Sequence, residues 1–138
     1  MKFKLLILLL VTACSFMGCS DDDDENTVKP ETPEEIRYYV KYEYDVFANS
    51  NHVPQTVTCM TEKGEVEMKI LASKWSAVYG PFKKGDKVYM TVEMPYVPNY
   101  YESSIRLSVS INNEPFCLKK EVREIQVKEL TTEYTIDF

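Results

Sequence analysis

The 138-residue chain is poor in the residues from which most reaction centres are built. It has one histidine, His52, set in the polar segment ANSNHVPQ. Nucleophile–base pairs and transition-metal sites usually draw on histidine, and no partner stands at a useful spacing from this one. Glycine is scarce, at four residues, and none builds a phosphate-cradling loop; HExxH and CxxC are missing as well. DDDDENTVKPET fails as an EF-type calcium loop, because lysine and proline fall where the chain should turn and chelate. The carboxylates alternate along strand-like segments without singling out an acid–base pair. A non-enzymatic protein is expected, with no catalytic residue, no metal and no cofactor.

Basic runs are lacking too. The net charge is −6, but it is unevenly spread. From Ile36 to Phe138 fourteen acidic residues face thirteen basic ones, a net of −1. The acidity sits in Asp21 to Glu25, Glu31, Glu34 and Glu35, against Lys29 alone. With no basic patch there is no electrostatic footprint for nucleic acid.

What the amino terminus does have is an export layout. In MKFKLLILLLVTACSFMGC, Lys2 and Lys4 precede an apolar run from Leu5 to Val11, and small residues follow. Leu5 to Gly18 is fourteen residues, interrupted by Thr12 and Ser15, whereas a spanning helix needs about 20 apolar residues. A cysteine at the cleavage point suggests a lipoprotein, and there are two candidates. Cys14 follows Val11-Thr12-Ala13, nearer the usual aliphatic–small–small pattern. Cys19 follows Phe16-Met17-Gly18, uses the whole apolar run and puts the acidic block directly after the anchor, so it is preferred. Residues 1–18 are then the signal peptide. Residues 19–35 form an acidic tether with one large apolar residue, Val28, too few to offset ordering entropy. Sixteen such residues, 20–35, reach about 55 Å at most when stretched.

The stretch Cys19-Ser20-Asp21-Asp22-Asp23-Asp24 resembles the amino terminus of surface lipoproteins of Bacteroidota, where a short acidic stretch after the acylated cysteine acts as an export tag. The resemblance implies an outer-membrane lipoprotein, lipid-anchored and facing outward. A plain solvated spacer would show the same composition.

Residues 36–138 are the size of one ordinary domain. Period-two patterning dominates it. In YYVKYEYDVF, Tyr38, Val40, Tyr42, Tyr44 and Val46 share one face, opposite Tyr39, Lys41, Glu43 and Asp45. QTVTCMTEKGEVEMKIL reads as a hairpin turning at Glu62-Lys63-Gly64-Glu65, with Gly64 supplying a positive φ. A strand is expected over Lys74–Tyr79, ending at Gly80-Pro81. Val88, Met90, Val92 and Met94 line a further face. After the loop PYVPNYYESS, Ile105, Leu107, Val109 and Ile111 point inward, and a turn at Asn112-Asn113 leads to a returning strand. EIQVKEL and EYTIDF also alternate, the second giving the last strand. Seven to nine short strands without a helical stripe predict an all-β fold, an antiparallel immunoglobulin-like β-sandwich. The order of hairpin, tryptophan strand, GPFKKGD and IRLSVSINNEPF resembles the sandwich domain of the mycobacterial small membrane proteins that accompany lipid transporters.

Two features of this domain bear on function. Cys59 and Cys117 would close a loop worth about 4 kcal/mol as a disulfide, yet each also suits a strand as a free, small core residue, and the spacing leaves both states open. MPYVPNYYES places Tyr96, Tyr100 and Tyr101 in a proline-stiffened loop suited to contact with a protein or glycan, because a tyrosine ring offers area at low entropic cost. The same rings could instead fold back over the sandwich. The leading expectation is a lipoprotein held to a lipid bilayer by its acylated cysteine, with a sandwich that binds a protein or glycan. The alternative is a structural or accessory subunit of an envelope assembly such as a transporter.

Overall fold

The structure, a computed structural model, describes residues 35–48, 54–96 and 100–138. His52, both candidate acylated cysteines and the acidic tag lie outside them. The described residues are all-β: eight strands in two antiparallel four-stranded sheets, packed as a sandwich. They are β1 (Tyr38–Ala48), β2 (Gln55–Thr61), β3 (Gly64–Ile70), β4 (Lys74–Phe82), β5 (Lys87–Glu93), β6 (Tyr101–Ile111), β7 (Cys117–Ile125) and β8 (Glu129–Thr135). One sheet has the order β4-β1-β6-β7 and the other β3-β2-β5-β8. Only β2–β3 and β6–β7 are hairpins within a sheet; every other connection crosses from one sheet to the other.

The alternation explains the layers. Along β1, Tyr38, Val40, Tyr42, Tyr44 and Val46 are buried, while Tyr39, Lys41, Glu43 and Asp45 are half-buried on the outer face. From the other sheet Val57, Cys59, Val88, Met90 and Val92 face them. Burying each such side chain contributes about 1.5–3 kcal/mol, which makes this two-sided layer the main stabilising element. Tyr42 crosses it: its hydroxyl donates to the Met60 carbonyl of the opposite sheet at 2.6 Å. Trp75, on edge strand β4, packs half-buried against the same layer.

Several boundaries differ from the sequence expectation, each for a physical reason. The strand expected to stop at Gly80-Pro81 runs on to Phe82, through a cis Gly80–Pro81 bond. Proline is tolerated there because β4 lies at the sheet edge. Gly80 has φ +145°, and a Cβ at that position would stand 2.7 Å from the Tyr38 carbonyl oxygen and 2.9 Å from the Tyr39 ring. Only glycine fits. The β2–β3 hairpin turns at Glu62-Lys63, with Gly64 at φ +112° as the turn requires. The last strand begins at Glu129, earlier than EYTIDF suggests, and the start of EIQVKEL belongs to β7.

β6 begins four residues before Ile105, and this overturns one site assignment. Tyr101 is a strand residue, 2% exposed, facing the core opposite Ala48. Tyr101, Ser103, Ile105, Leu107 and Val109 form one inward row. A serine in that row hides the alternation from a reading based on hydrophobicity.

Residues 35–37 enter at the end of the sandwich marked by Phe82, Ile111 and Phe138. There Tyr38 stacks on Phe138 at 5.8 Å and donates its hydroxyl to the Phe138 carbonyl. Asn112 fixes the entry by accepting from Arg37 N–H through its side chain and donating its own N–H to the Arg37 carbonyl at 2.7 Å. The β3–β4, β5–β6 and β7–β8 connections lie at the opposite end.

Candidate functional site

At that opposite end β1 outruns β4. β4 starts at Lys74, opposite Asp45, so Val46 and Phe47 have no β4 partner and β1 shows a short free edge. The Val46 N–H is taken by the Ser73 carbonyl at 2.7 Å. A depression of about 430 Å³ opens at this edge. Its buried wall comes from three strands distant in sequence: Val46 of β1, Gln55 of β2, and Tyr101, Ser103 and Ser104 of β6. Its rim carries Phe47 and Leu71, exposed by 64% and 65%.

The wall is polar and incompletely satisfied. Gln55 Oε1 and Ser103 Oγ are buried behind it without a hydrogen-bond partner, as is the Tyr44 hydroxyl, which belongs to the core and not to the lining. The Tyr44 phenol faces the neighbouring Tyr101 hydroxyl without reaching hydrogen-bond geometry; burial first, and then that neighbour, push its pKa far up. Tyr101 is raised as well, chiefly by burial. All these hydroxyls stay neutral at physiological pH, so the buried layer behind the depression carries no charge.

The rim's charges are paired among themselves. Lys74 meets Asp45 at 3.0 Å, Arg123 meets Glu102 at 3.4 Å and Glu121 at 3.6 Å, and Arg106 meets Glu121 at 3.3 Å. These pairs follow from cross-strand register, in the rows Lys74–Asp45–Ser104–Arg123 and Glu43–Arg106–Glu121. Ser104 and Ser108 are buried on this outer face because their short side chains lie between longer neighbours, Asp45 and Arg123 in one row and Lys41 and Leu118 in the other. Exposed ion pairs of this kind contribute little to stability, about 0–1 kcal/mol each. Their effect is to leave the rim without an unpaired formal charge.

Apolar side chains gather around the depression. Phe47 meets Tyr100 edge-on at 6.1 Å, and the row Phe47–Glu102–Ile125 brings in Ile125, 58% exposed. Tyr96 and Tyr100 of the tyrosine loop are exposed by 52% and 44%. The structure therefore divides the expected loop trio. Tyr100 joins an exposed aromatic cluster, Tyr96 is exposed, and Tyr101 is withdrawn into the wall. Phe47 was missed. Its signal was an aromatic residue on the polar face of YYVKYEYDVF.

The cysteine question resolves in favour of free thiols. Cys59 is buried in β2, and Cys117 is exposed at the start of β7 in the other sheet. Burial pushes the Cys59 thiol up to about 11. Among the described residues no group of three or more His, Cys, Asp or Glu side chains could hold a metal ion. No protein-family model matches the chain, and no curated protein or solved structure does either.

Proposed function

We propose that the protein is an outer-membrane lipoprotein, acylated on Cys19 and displayed outward through its acidic export tag, whose β-sandwich binds a protein or glycan without catalysing a reaction. The observation that carries the binding role is the placement of the depression. The depression with its Phe47 and Leu71 rim, and Tyr100 and Ile125 beside Phe47, lie at the end of the sandwich opposite the entry of residues 35–37. Exposed apolar side chains gathered beside a hollow suit recognition, because the rings supply contact area.

Two measurements test this reading. Protease shaving of intact cells should remove the domain, while Cys19→Ser should abolish acyl labelling. Phe47→Ala combined with Tyr100→Ala should weaken partner binding and leave the unfolding temperature within a few degrees of the parent. Unchanged partner binding by the double variant would remove the site assignment.

The accessory-subunit reading keeps one observation in its favour. β7 is an edge strand whose residues are nearly all exposed, with Leu118 and Ile125 among them. Such an edge can pair with another chain. Co-purification with envelope components that survives Phe47→Ala but not a proline placed in β7 would favour that reading.

A further inference from the structure

We infer that β7 is the seam of a homodimer, in which the strand pairs antiparallel with its own copy about a two-fold axis at Val122. The inference concerns the side of the sandwich and holds whatever the domain binds at its end. β7 closes one sheet, and seven of its nine residues are exposed. An edge strand offers unpaired backbone groups to any other chain. What selects the partner is the order of charges along it.

In an antiparallel pair related by a two-fold axis, each residue faces the one equally far beyond the axis, on the same face of the sheet. With the axis at Val122, Lys120 faces Glu124 of the second copy, and Glu121 faces its Arg123. Symmetry repeats both contacts, so four opposite-charge pairs cross the seam and no like charges meet. They balance on both faces of the sheet. Lys120 and Glu124 share the core-side face with Val122, opposite Leu107, Ser103 and Ile105 of β6, while Glu121 and Arg123 lie outside, beside Arg106 and Ser104. Moving the axis by one residue sets Glu121 against Glu121 or Arg123 against Arg123, so repulsion fixes the register.

Lys120 and Glu124 point inward on an edge strand, a device that repels a foreign strand. Here the copy's own charges answer it. Among the described residues neither has an ion-pair partner, whereas Glu121 and Arg123 already pair with each other and with Arg106 and Glu102. The seam therefore gains most from Lys120 and Glu124. Lys119, the bulge residue, is drawn away over the Phe138 ring, 3.5 Å from its Nζ, and adds no charge to the seam. The same register brings Leu118 and Ile125, exposed by 51% and 58%, within one residue of each other across each end. The other three edges match themselves less well. β8 holds Glu129 and Glu133 without a basic residue, β4 holds Lys74 without an acid and includes Pro81, and β3 reaches only two pairs, Glu67 with Lys69.

Sedimentation velocity of the purified full chain in detergent should show a reversible monomer–dimer equilibrium at about 10–100 µM, since the seam is short for a permanent dimer. Lys120→Glu alone places acid against acid at two points, and Glu124→Lys places base against base. Each should weaken self-association by about tenfold or more, and each should unfold within a few degrees of the parent. An equimolar mixture of the two single variants should dimerise again, as should the chain carrying both substitutions, because opposite charges then face each other once more.

Four results overturn the inference: a chain that stays monomeric over this range; a dimer indifferent to both single substitutions; a mixture that stays monomeric; or single variants that lose stability with association and are not restored by the double substitution. A foreign strand on β7, as the accessory-subunit reading expects, gains nothing from mixing the two variants, so restoration by mixing separates the two readings.

Discussion

Replacing Tyr42 by phenylalanine removes one oxygen from the centre of the sandwich and keeps the ring. The ring is fully buried, and its hydroxyl donates to the Met60 carbonyl at 2.6 Å, linking the two sheets. The variant loses that hydrogen bond and leaves a partly buried carbonyl short of a donor. A net hydrogen bond is worth about 0.5–1.5 kcal/mol, and an abandoned buried partner costs about 1–3 kcal/mol. Met60 is only half-buried, so water can reach its carbonyl in part and the cost falls near the low end, about 1–1.5 kcal/mol. For a domain of this size that lowers the unfolding midpoint by about 4–8 °C. Tyr44→Phe is the control. It lies two residues away on the same strand face, 2% exposed, and its hydroxyl has no hydrogen-bond partner. Deleting an unpartnered hydroxyl should be neutral or slightly stabilising. Urea unfolding followed by circular dichroism compares the two: Tyr42→Phe should shift the midpoint down at unchanged slope, and Tyr44→Phe should not. Equal effects from both substitutions would refute the reasoning, because they would show that the Tyr42–Met60 link contributes nothing beyond ring burial.

Gly80→Ala should destabilise the domain by about 2 kcal/mol or more, read by the same unfolding assay, since it adds strain at positive φ to a collision with the Tyr38 backbone. In the mature protein Cys117 should react with a thiol reagent in the native state and Cys59 only after denaturation; fewer than two thiols in the denatured, unreduced protein would show a disulfide after all. Stability should be fully retained below about pH 8.5, the ordinary cysteine pKa, and fall as the pH rises toward about 11. The sign follows from burial: the folded Cys59 and its buried tyrosine neighbours hold protons that the unfolded chain releases first. Cys59→Ala should make that alkaline decline shallower, measured by unfolding at pH 8 and pH 10.5. Cys19→Ser should abolish incorporation of a palmitate analogue, whereas Cys14→Ser should change it little; the reverse result moves the anchor to Cys14.

Much of the fold could be read from the chain because β1 and β5 alternate cleanly. Tyr38 to Val46 and Val88 to Met94 present one apolar face each, and burial follows those positions one by one. Reading failed where a strand is buried by position and not by hydrophobicity. Ser103, Ser104, Ser108 and Ser110 are all buried in β6, which is hemmed in by β1 and β7. Serine carries no apolar signal, so alternation alone starts the strand at Ile105 and leaves Tyr101 in the preceding loop. The site was still less legible. Val46, Gln55 and Ser103 are brought together only by the crossovers between sheets, and no local pattern encodes that meeting. Phe47 is legible as a second aromatic ring, beside Tyr39, on the face that carries Lys41, Glu43 and Asp45.

The polar arrangement of β1 also has a mechanical consequence. Residues 35–37 enter at its Tyr38 end and the hollow sits at its Phe47 end, so a force applied between these two points would run along the strand axis. β1 is bonded to β4 on one side and β6 on the other, in registers running along most of its length. Those ladders lie perpendicular to the pull. Under such a force they are loaded in shear, many together, and are not peeled open one after another, so the strand resists extension along this axis.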